Sequence, residues 1–222
     1  MARPQATDYD DKRNLIAAQA AAIFARQGAA NASLAEVANA CNMSKSLIYH
    51  YYASKEDLLF DVMDRHMSDL ISIISTAAPS NVAPPTAAAP TAAIPTGSGE
   101  TAFQIFTRRL MDHYVGAGDS QKVLLYELEN IPAENRAKIV AKQRQLIAHA
   151  ENLLAAALPG TSLEKSELKV RIMLYFGMLN WSHSWFRADG AISRRQIADL
   201  AADATLKGVL PDPMQKVTSA AR

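Results

Sequence analysis

Residues 33–59 constrain the fold more than any other stretch of the chain, because three helix starts follow one another there. Ser33 is a residue type that caps helices, and Glu36, three positions later, completes a capping box. Ser44 and Ser54 stand in front of two further helical patterns. The stretch therefore predicts two short helices followed by the start of a longer one.

The turn between the two short helices falls at Asn42. A tight turn between crossed helices needs a left-handed backbone, which glycine adopts most easily and asparagine also visits at low cost. In the second helix, helical spacing turns Leu47 or Ile48 inward together with Tyr51. The side chains left facing outward are Lys45, Ser46, Tyr49 and His50. Such short donors and aromatic rings suit contacts with the major groove of DNA.

The order of these elements resembles the N-terminal DNA-binding domain of the TetR family of bacterial transcriptional regulators. The resemblance covers about residues 12–66 and rests on the turn, on IYHYY at residues 48–52 and on SKEDL at residues 54–58. Two positions depart from the family pattern: Asn42 replaces the common glycine, and Ala53 stands where proline is frequent. The resemblance implies phosphate contacts from Ser33 and Lys55. It implies that the other DNA-binding residues lie in or beside the groove: Ser44, Lys45, Ser46, Leu47, Tyr49, His50 and Tyr51.

Composition limits how such a chain could hold DNA. The chain has 222 residues, 49% of them hydrophobic, and a formal net charge of +1. Residues 1–60 contain six basic and six acidic side chains, so DNA binding would have to come from local placement and helix N-termini. The single cysteine, Cys41, rules out an internal disulfide. We find no signal peptide and no apolar run of membrane-spanning length, and we expect a cytoplasmic protein with no membrane partner.

The chain is rich in alanine, has almost no strand signals and predicts an all-α fold. We expect residues 1–56 to form the helix-turn-helix domain and residues 57–78 a connecting helix that can convert a tilt into a change of half-site spacing. Residues 79–99 are rich in proline and alanine and predict a disordered loop. Residues 100–222 predict a helical C-terminal domain for ligand binding and dimerisation.

Two helices near the C-terminus predict a homodimer. The helix expected at about residues 163–187 is apolar on nearly every side, so both of its faces need a cover. Its own domain can cover one face, and a second copy of the chain is the simplest cover for the other. Together with a helix at about residues 193–209, it would form a four-helix interface, as in TetR-like proteins. The segment from Gly177 to Gly190 also resembles TetR-type repressors that sense CoA thioesters in fatty-acid, steroid or aromatic-acid catabolism.

An apolar tunnel between the connecting helix and the C-terminal helices could hold an effector. The candidates for binding the phosphates of a CoA moiety are Arg108, Arg109, Arg144 and Arg187. The candidate lining residues are Phe103, Phe106, Leu110, Tyr114, Leu124, Tyr175, Met178 and Trp181. The alternative is that most of these side chains are ordinary core.

The sequence gives no sign of an enzyme. The five histidines are scattered singly over different helices, without metal-ligand spacing, a nucleophile elbow or a glycine-rich phosphate loop. We therefore expect no catalytic residues, no metal and no cofactor. The sequence predicts a dimeric repressor of double-stranded DNA that is released by a small effector, possibly an aromatic or fatty acyl-CoA. Two alternatives stay open: a DNA-binding regulator or organiser without an effector, and a TetR-type sensor of a hydrophobic drug.

Overall fold

The computed structural model describes residues 4–76, 100–160 and 163–207, and these residues contain helices and no strand. The all-α prediction is confirmed. The predicted loop at residues 79–99 lies outside the described residues. The helices are α1 (Pro4–Gln27), α2 (Leu34–Ala40), α3 (Lys45–Tyr51), α4 (Lys55–Thr76), α5 (Ala102–Gly116), α6 (Gly118–Tyr126), α7 (Ala133–Ala157), α8 (Lys165–Trp181) and α9 (Arg194–Lys207). Short 3₁₀ turns follow α6 at Leu128–Asn130 and α8 at Ser182–Ser184.

The three helix starts predicted within residues 33–59 are confirmed in detail. The Ser33 hydroxyl accepts a hydrogen bond from the Glu36 amide, and the Glu36 carboxylate bonds back to the Ser33 amide. Ser44 caps α3, and the Ser54 hydroxyl accepts from the Asp57 amide. Asn42 has a φ of 53°, which is the left-handed conformation that the turn requires.

The chain divides into two compact units. Unit 1 comprises residues 1–76 and 113–146. Within it α1 packs against α2, α4 and α6, while α2 packs against α3. Its core includes Ile16, Phe24, Ile48, Leu58 and Met63, all buried. This core fixes α3 on the framework formed by α1, α2 and α4.

Unit 2 comprises residues 77–112 and 147–222. Here α8 packs against α9, and the rings of Phe103 in α5 and Tyr175 in α8 lie 4.9 Å apart. The Tyr175 hydroxyl donates a buried hydrogen bond of 3.0 Å to Thr107 Oγ1. This division follows compactness and does not coincide with the predicted division by role, which stays a prediction.

Helix α8 is shorter than the predicted helix at residues 163–187. Three side chains just past its end bond to its last carbonyl groups. The Ser182 hydroxyl donates to the Leu179 carbonyl, the His183 ring bonds to the Asn180 carbonyl, and the Ser184 hydroxyl donates to the Trp181 carbonyl. Side chains that hydrogen-bond to backbone carbonyl groups in this way compete with the amides that would otherwise continue the helix.

Candidate nucleic-acid interface and effector region

Helix α3 presents one face to solvent and anchors the other in unit 1. Its buried anchor is Ile48, which is 0% exposed. The Ser44 hydroxyl accepts from the Leu47 amide at 3.2 Å, which fixes the start of the helix. A helix of only seven residues would be marginal alone, so this cap and anchor hold it in place.

The exposed face of α3 brings together most of the predicted groove-contacting residues. Lys45, Ser46, Tyr49 and His50 are exposed, whereas Leu47 and Tyr51 are half-buried. The Lys45 ammonium lies 5.8 Å from the centre of the Tyr49 ring. The hydroxyl oxygens of Ser44 and Ser46 lie 2.9 Å apart. The face thus offers a cation, hydroxyl groups and aromatic edges, the groups that bind phosphates and base edges.

Ser33 has its donors engaged within the capping box. Its amide donates to Glu36 Oε2 at 2.8 Å, and its hydroxyl donates to the same oxygen at 2.9 Å. A phosphate could accept from these groups only if the Glu36 carboxylate moved aside. The phosphate contact implied by the resemblance stays a prediction, and the structure adds a competing role for Ser33 in holding the start of α2.

Lys55 is half-buried and points its ammonium group at backbone carbonyls. Its Nζ donates to the Ala29 carbonyl at 2.6 Å and to the Ala32 carbonyl at 3.1 Å. An ammonium group has three N–H donors, so one is left for a phosphate. Lys55 therefore ties the loop between α1 and α2 to the start of α4, and its predicted phosphate contact rests on the third donor.

Tyr9 is a neighbour of the exposed face of α3 that the sequence pattern did not indicate. Its ring centre lies 4.7 Å from that of Tyr51 and 6.4 Å from that of His50. Helix α1 begins at Pro4 and carries Tyr9 within it. Tyr9 is 41 positions from His50 and 42 from Tyr51, and residues so far apart give no local signal of such a contact.

An ion cluster joins the end of α3 to α1 and α4. The Tyr52 hydroxyl donates to Asp61 Oδ2 at 2.7 Å, and the same carboxylate binds Arg13 at 2.7 Å and Arg65 at 2.6 Å. Burial, and next the hydrogen bond to Asp61, raises the pKa of the Tyr52 hydroxyl, which stays protonated as a donor. The cluster ties the end of α3 to α1 and α4.

Four of the predicted effector-binding residues form part of the interior of unit 2. Phe103, Phe106, Leu110 and Tyr175 are each 0% exposed. The Phe106 ring meets the ring of His149 edge to face, with the centres 5.3 Å apart. His149 Nε2 is buried without a hydrogen-bond partner among the described residues, and burial lowers the pKa of this imidazole. In the described part of unit 2, His149 Nε2 is the one buried side-chain nitrogen or oxygen atom without a hydrogen-bond partner.

Tyr114 and Leu124, also predicted to line the effector site, are buried in unit 1. Tyr114 lies next to a buried hydrogen-bonded chain. In this hydrogen-bonded series of side chains, His66 Nε2 lies 2.5 Å from Gln121 Oε1, and His66 Nδ1 lies 3.3 Å from His113 Nε2. Burial lowers the pKa of His66 to about 4, so His66 is neutral at pH 7. These side-chain contacts connect α4, α5 and α6 within unit 1.

The remaining predicted effector-binding residues face outward. Arg109 is exposed on α5, and the exposed fractions of Met178 and Trp181 in α8 are 41% and 62%. The structure therefore does not bring Met178 and Trp181 together with the interior residues Phe103 and Tyr175. These two side chains belong to an exposed apolar stripe on α8, which consists of Val170, Met173, Leu174, Met178 and Trp181.

The described residues also bear on metal binding and on membrane insertion. No group of three or more histidine, cysteine, aspartate or glutamate side chains there could hold a metal ion. No helix described by the structure has the length and apolar character needed to cross a membrane.

Comparisons with known proteins agree with the helical architecture. Residues 16–62 match the family model described as bacterial regulatory proteins of the tetR family. Residues 97–209 match a model described as the tetracyclin repressor-like C-terminal domain. Comparison with curated proteins gives no match.

Several solved structures resemble the chain over most of its length. A TetR-family transcriptional regulator from Bordetella parapertussis is 31% identical, with a TM-score of 0.74, and the match covers 90% of this chain and 97% of that one. PfmR, a TetR-family regulator from Thermus thermophilus, is 22% identical, with a TM-score of 0.69 and coverage of 88% and 99%. AibR, solved with isovaleryl coenzyme A and operator DNA, is 24% identical, with a TM-score of 0.65 and coverage of 86% and 96%.

The C-terminal match spans half of the chain, and the Bordetella regulator is alike over nearly all of it. The helix-turn-helix at α2 and α3 lies within the N-terminal match. The chain therefore belongs to the TetR family of transcriptional regulators and carries the family's helix-turn-helix DNA-binding domain.

Proposed function

We propose that the protein is a homodimeric repressor that binds a palindromic operator and is released from it by an acyl-CoA. The observation that carries the DNA-binding part is the exposed face of α3, with Lys45, Ser46, Tyr49 and His50 outward and Ile48 buried beneath. In a two-fold dimer, two such helices would enter major grooves about one turn, roughly 34–36 Å, apart.

The exposed apolar stripe on α8 supports the dimer. Leu174 and Trp181 are 65% and 62% exposed, and Leu200 on the neighbouring helix α9 is 65% exposed. The opposite side of α8 is buried in unit 2 through Ile172, Tyr175 and Leu179. A contiguous exposed apolar patch of this kind marks an interaction site. We propose that the stripe and Leu200 meet their counterparts in a second copy, as is typical of the family.

The proposed effector is an acyl-CoA with an aromatic or branched or fatty acyl group. The apolar interior of unit 2 around Phe106 and Tyr175 suits an acyl chain, and the exposed guanidinium of Arg109 suits a phosphate of the CoA moiety. AibR, which binds isovaleryl coenzyme A and operator DNA, has the same fold and supports this choice of ligand class. A coupling of ~1–3 kcal/mol would lower operator affinity by about 5–150-fold.

The experiment has two stages. Selection from a random duplex library should enrich a two-fold symmetric sequence, which then serves in a gel-shift titration. Isovaleryl-CoA, phenylacetyl-CoA and medium-chain acyl-CoAs are compared with free CoA and with the free acids. We expect at least one acyl-CoA to release the DNA while CoA and the acids do not. If none of the thioesters releases the DNA, the proposal of an acyl-CoA effector is wrong. If the selection enriches no sequence, the proposal of a palindromic operator is wrong.

A matched pair of variants tests the place of the phosphate contact. Arg109→Gln should raise the acyl-CoA concentration needed for release by roughly 5–10-fold, equivalent to about 1 kcal/mol, and leave operator affinity unchanged. Lys122→Gln removes another exposed charge, on α6, and should change neither. If the two variants needed the same acyl-CoA concentration for release, Arg109 would not be the contact for a CoA phosphate.

A further inference from the structure

Unit 1 contains a cavity of about 440 Å³ between α1, α4 and the start of α6. Asn14 from α1, Arg65, His66 and Asp69 from α4, and Ser120 from α6 all contribute to its wall. It is separate from the apolar residues of unit 2 that the proposed effector site uses. Its volume lies within the range of small-molecule sites, roughly 300–1,000 Å³.

The cavity has a guanidinium group whose donors are only partly used. Arg65 donates through Nε to Asp61 at 2.6 Å and through Nη1 to Asn14 Oδ1. A guanidinium has five N–H donors, so others remain. Asp61 also binds Arg13, so a single carboxylate faces two guanidinium groups and the cluster keeps a net positive charge.

The same wall has a carboxylate without an ion pair. Asp69 follows Arg65 by four residues, a spacing at which a helical ion pair normally forms. Arg65 instead turns to Asp61 and Asn14, and in the described part of the chain Asp69 pairs with no cation. Burial lowers the pKa of both His66 and His113, and the charge of the Asp69 carboxylate offsets a small part of this effect in each imidazole.

His66 makes the back of the cavity uncharged. It is 2% exposed, and its two ring nitrogens bond to Gln121 and His113. Burial lowers its pKa to about 4, so it adds no charge at neutral pH. The wall therefore carries one positive region and one negative group, close together on one face of α4, and neither cancels the other by direct contact.

We propose that this cavity binds a small zwitterion of the free α-amino-acid type, with its carboxylate on Arg65 and its ammonium on Asp69. A simple anion would meet the unpaired Asp69 carboxylate, and a simple cation would meet the positive Arg13–Asp61–Arg65 cluster. A zwitterion satisfies both groups at once. The N–H donors left on Arg65 suit a carboxylate.

Binding there would affect the helices that hold the recognition face. The ligand would contact α4 directly, and Arg65 and Asn14 would link it to α1 while Ser120 would link it to α6. Occupancy would thus hold α1, α4 and α6 together and change operator affinity. This consequence rests on the proposed DNA-binding function, whereas the binding itself does not.

The test uses the full chain without DNA. Isothermal calorimetry and thermal unfolding are measured with each of the twenty standard L-amino acids at millimolar concentration. For any amino acid that binds, the N-acetyl derivative, which lacks the α-ammonium group, and the α-carboxamide, which lacks the α-carboxylate, are measured in parallel. We expect at least one amino acid to bind and both of its derivatives to bind at least tenfold more weakly. Binding by no amino acid, or equal binding of either derivative, would overturn the proposal.

Variants of α4 locate the site. Asp69→Asn should raise the dissociation constant at least tenfold, and it is expected to fold because Asp69 is exposed. Glu56→Gln removes another exposed carboxylate from α4 and should leave binding unchanged. Unaltered binding by both Asp69→Asn and Asp69→Ala would overturn the assignment. If the unaltered chain binds an amino acid but enriches no operator sequence, the proposed DNA-binding function is contradicted and the amino-acid site is not.

Discussion

At the scale of single residues, the two lysines of the recognition region differ in what their ammonium groups bind. Lys45 is exposed on α3 and lies beside the Tyr49 ring, whereas Lys55 donates to the carbonyls of Ala29 and Ala32. A cation held against carbonyl groups supports the loop between α1 and α2. A cation at an exposed face is free to meet a phosphate.

This difference predicts opposite effects of the same substitution. Lys45→Met should reduce the slope of operator affinity against salt by about one, with no change in stability, because one phosphate contact is lost. Lys55→Met should lower the free energy of unfolding by about 1–3 kcal/mol, because two carbonyl groups lose a charged donor. For Lys55→Met, the slope of operator affinity against salt should change by less than half of the change expected for Lys45→Met. Salt-dependent binding and urea unfolding measure the two effects.

The control for this pair is Lys122→Met, which removes an exposed lysine from α6 and should alter neither quantity. If Lys55→Met kept full stability and reduced the slope by one, Lys55 would be a phosphate contact in the sense that the resemblance implied.

The sequence contains the local part of this information and lacks the rest. Ser33, Ser44 and Ser54 were predicted as caps because a cap and its amide partner lie within three residues. The bond from Lys55 to Ala29 joins residues 26 apart, and the contact of Tyr9 with Tyr51 joins two helices. Such pairs depend on how the helices pack, and no spacing in the sequence signals them.

At the scale of elements, the turn between α2 and α3 sets the angle at which α3 is presented. Asn42 is the one non-glycine residue with a positive φ in the described ranges, at 53°. The Met43 amide bonds to the Ala38 carbonyl at 2.9 Å across this turn. A residue with a Cβ and no compensating polar group is strained in this region by about 1–2 kcal/mol.

We therefore expect Asn42→Ala to lower the free energy of unfolding by about 1 kcal/mol, and Asn42→Gly to leave it unchanged or raise it slightly. Asn39→Ala is a matched control, since Asn39 is exposed within α2, where alanine is the better helix former. The same substitution should thus have opposite signs at positions 39 and 42. Equal effects in chemical denaturation would show that the left-handed turn does not limit stability.

Element ends were less predictable than element identity. The helical periodicity of α8 continues through Trp185, yet the helix ends at Trp181 because Ser182, His183 and Ser184 take up its last carbonyl groups. Serine and histidine are compatible with a helix, so their competing bonds could not be read from composition.

At the scale of the whole molecule, the predicted effector residues were chosen by residue type, and the fold sorts them by position. Phe103 and Tyr175 are buried within unit 2, Tyr114 and Leu124 are buried within unit 1, and Trp181 is exposed. An apolar residue on an all-apolar helix can face its own core or a partner, and the sequence of α8 alone cannot distinguish the two. The fold resolves this for α8, where Tyr175 faces the core and Trp181 faces solvent.

The stripe on α8 predicts how the assembly responds to a single charge. Leu174 is 65% exposed in the folded chain, so Leu174→Glu should leave folding intact; in a dimer the new carboxylate would be buried without a partner at a cost of about 3–5 kcal/mol. We expect dimer affinity to fall 100-fold or more and operator binding to weaken with it, because two heads must bind together. Ala137→Glu places the same charge on an exposed residue of α7 in unit 1 and should leave the dimer intact. Sedimentation equilibrium and circular dichroism separate the outcomes. A Leu174→Glu variant that stayed dimeric would move the interface away from α8.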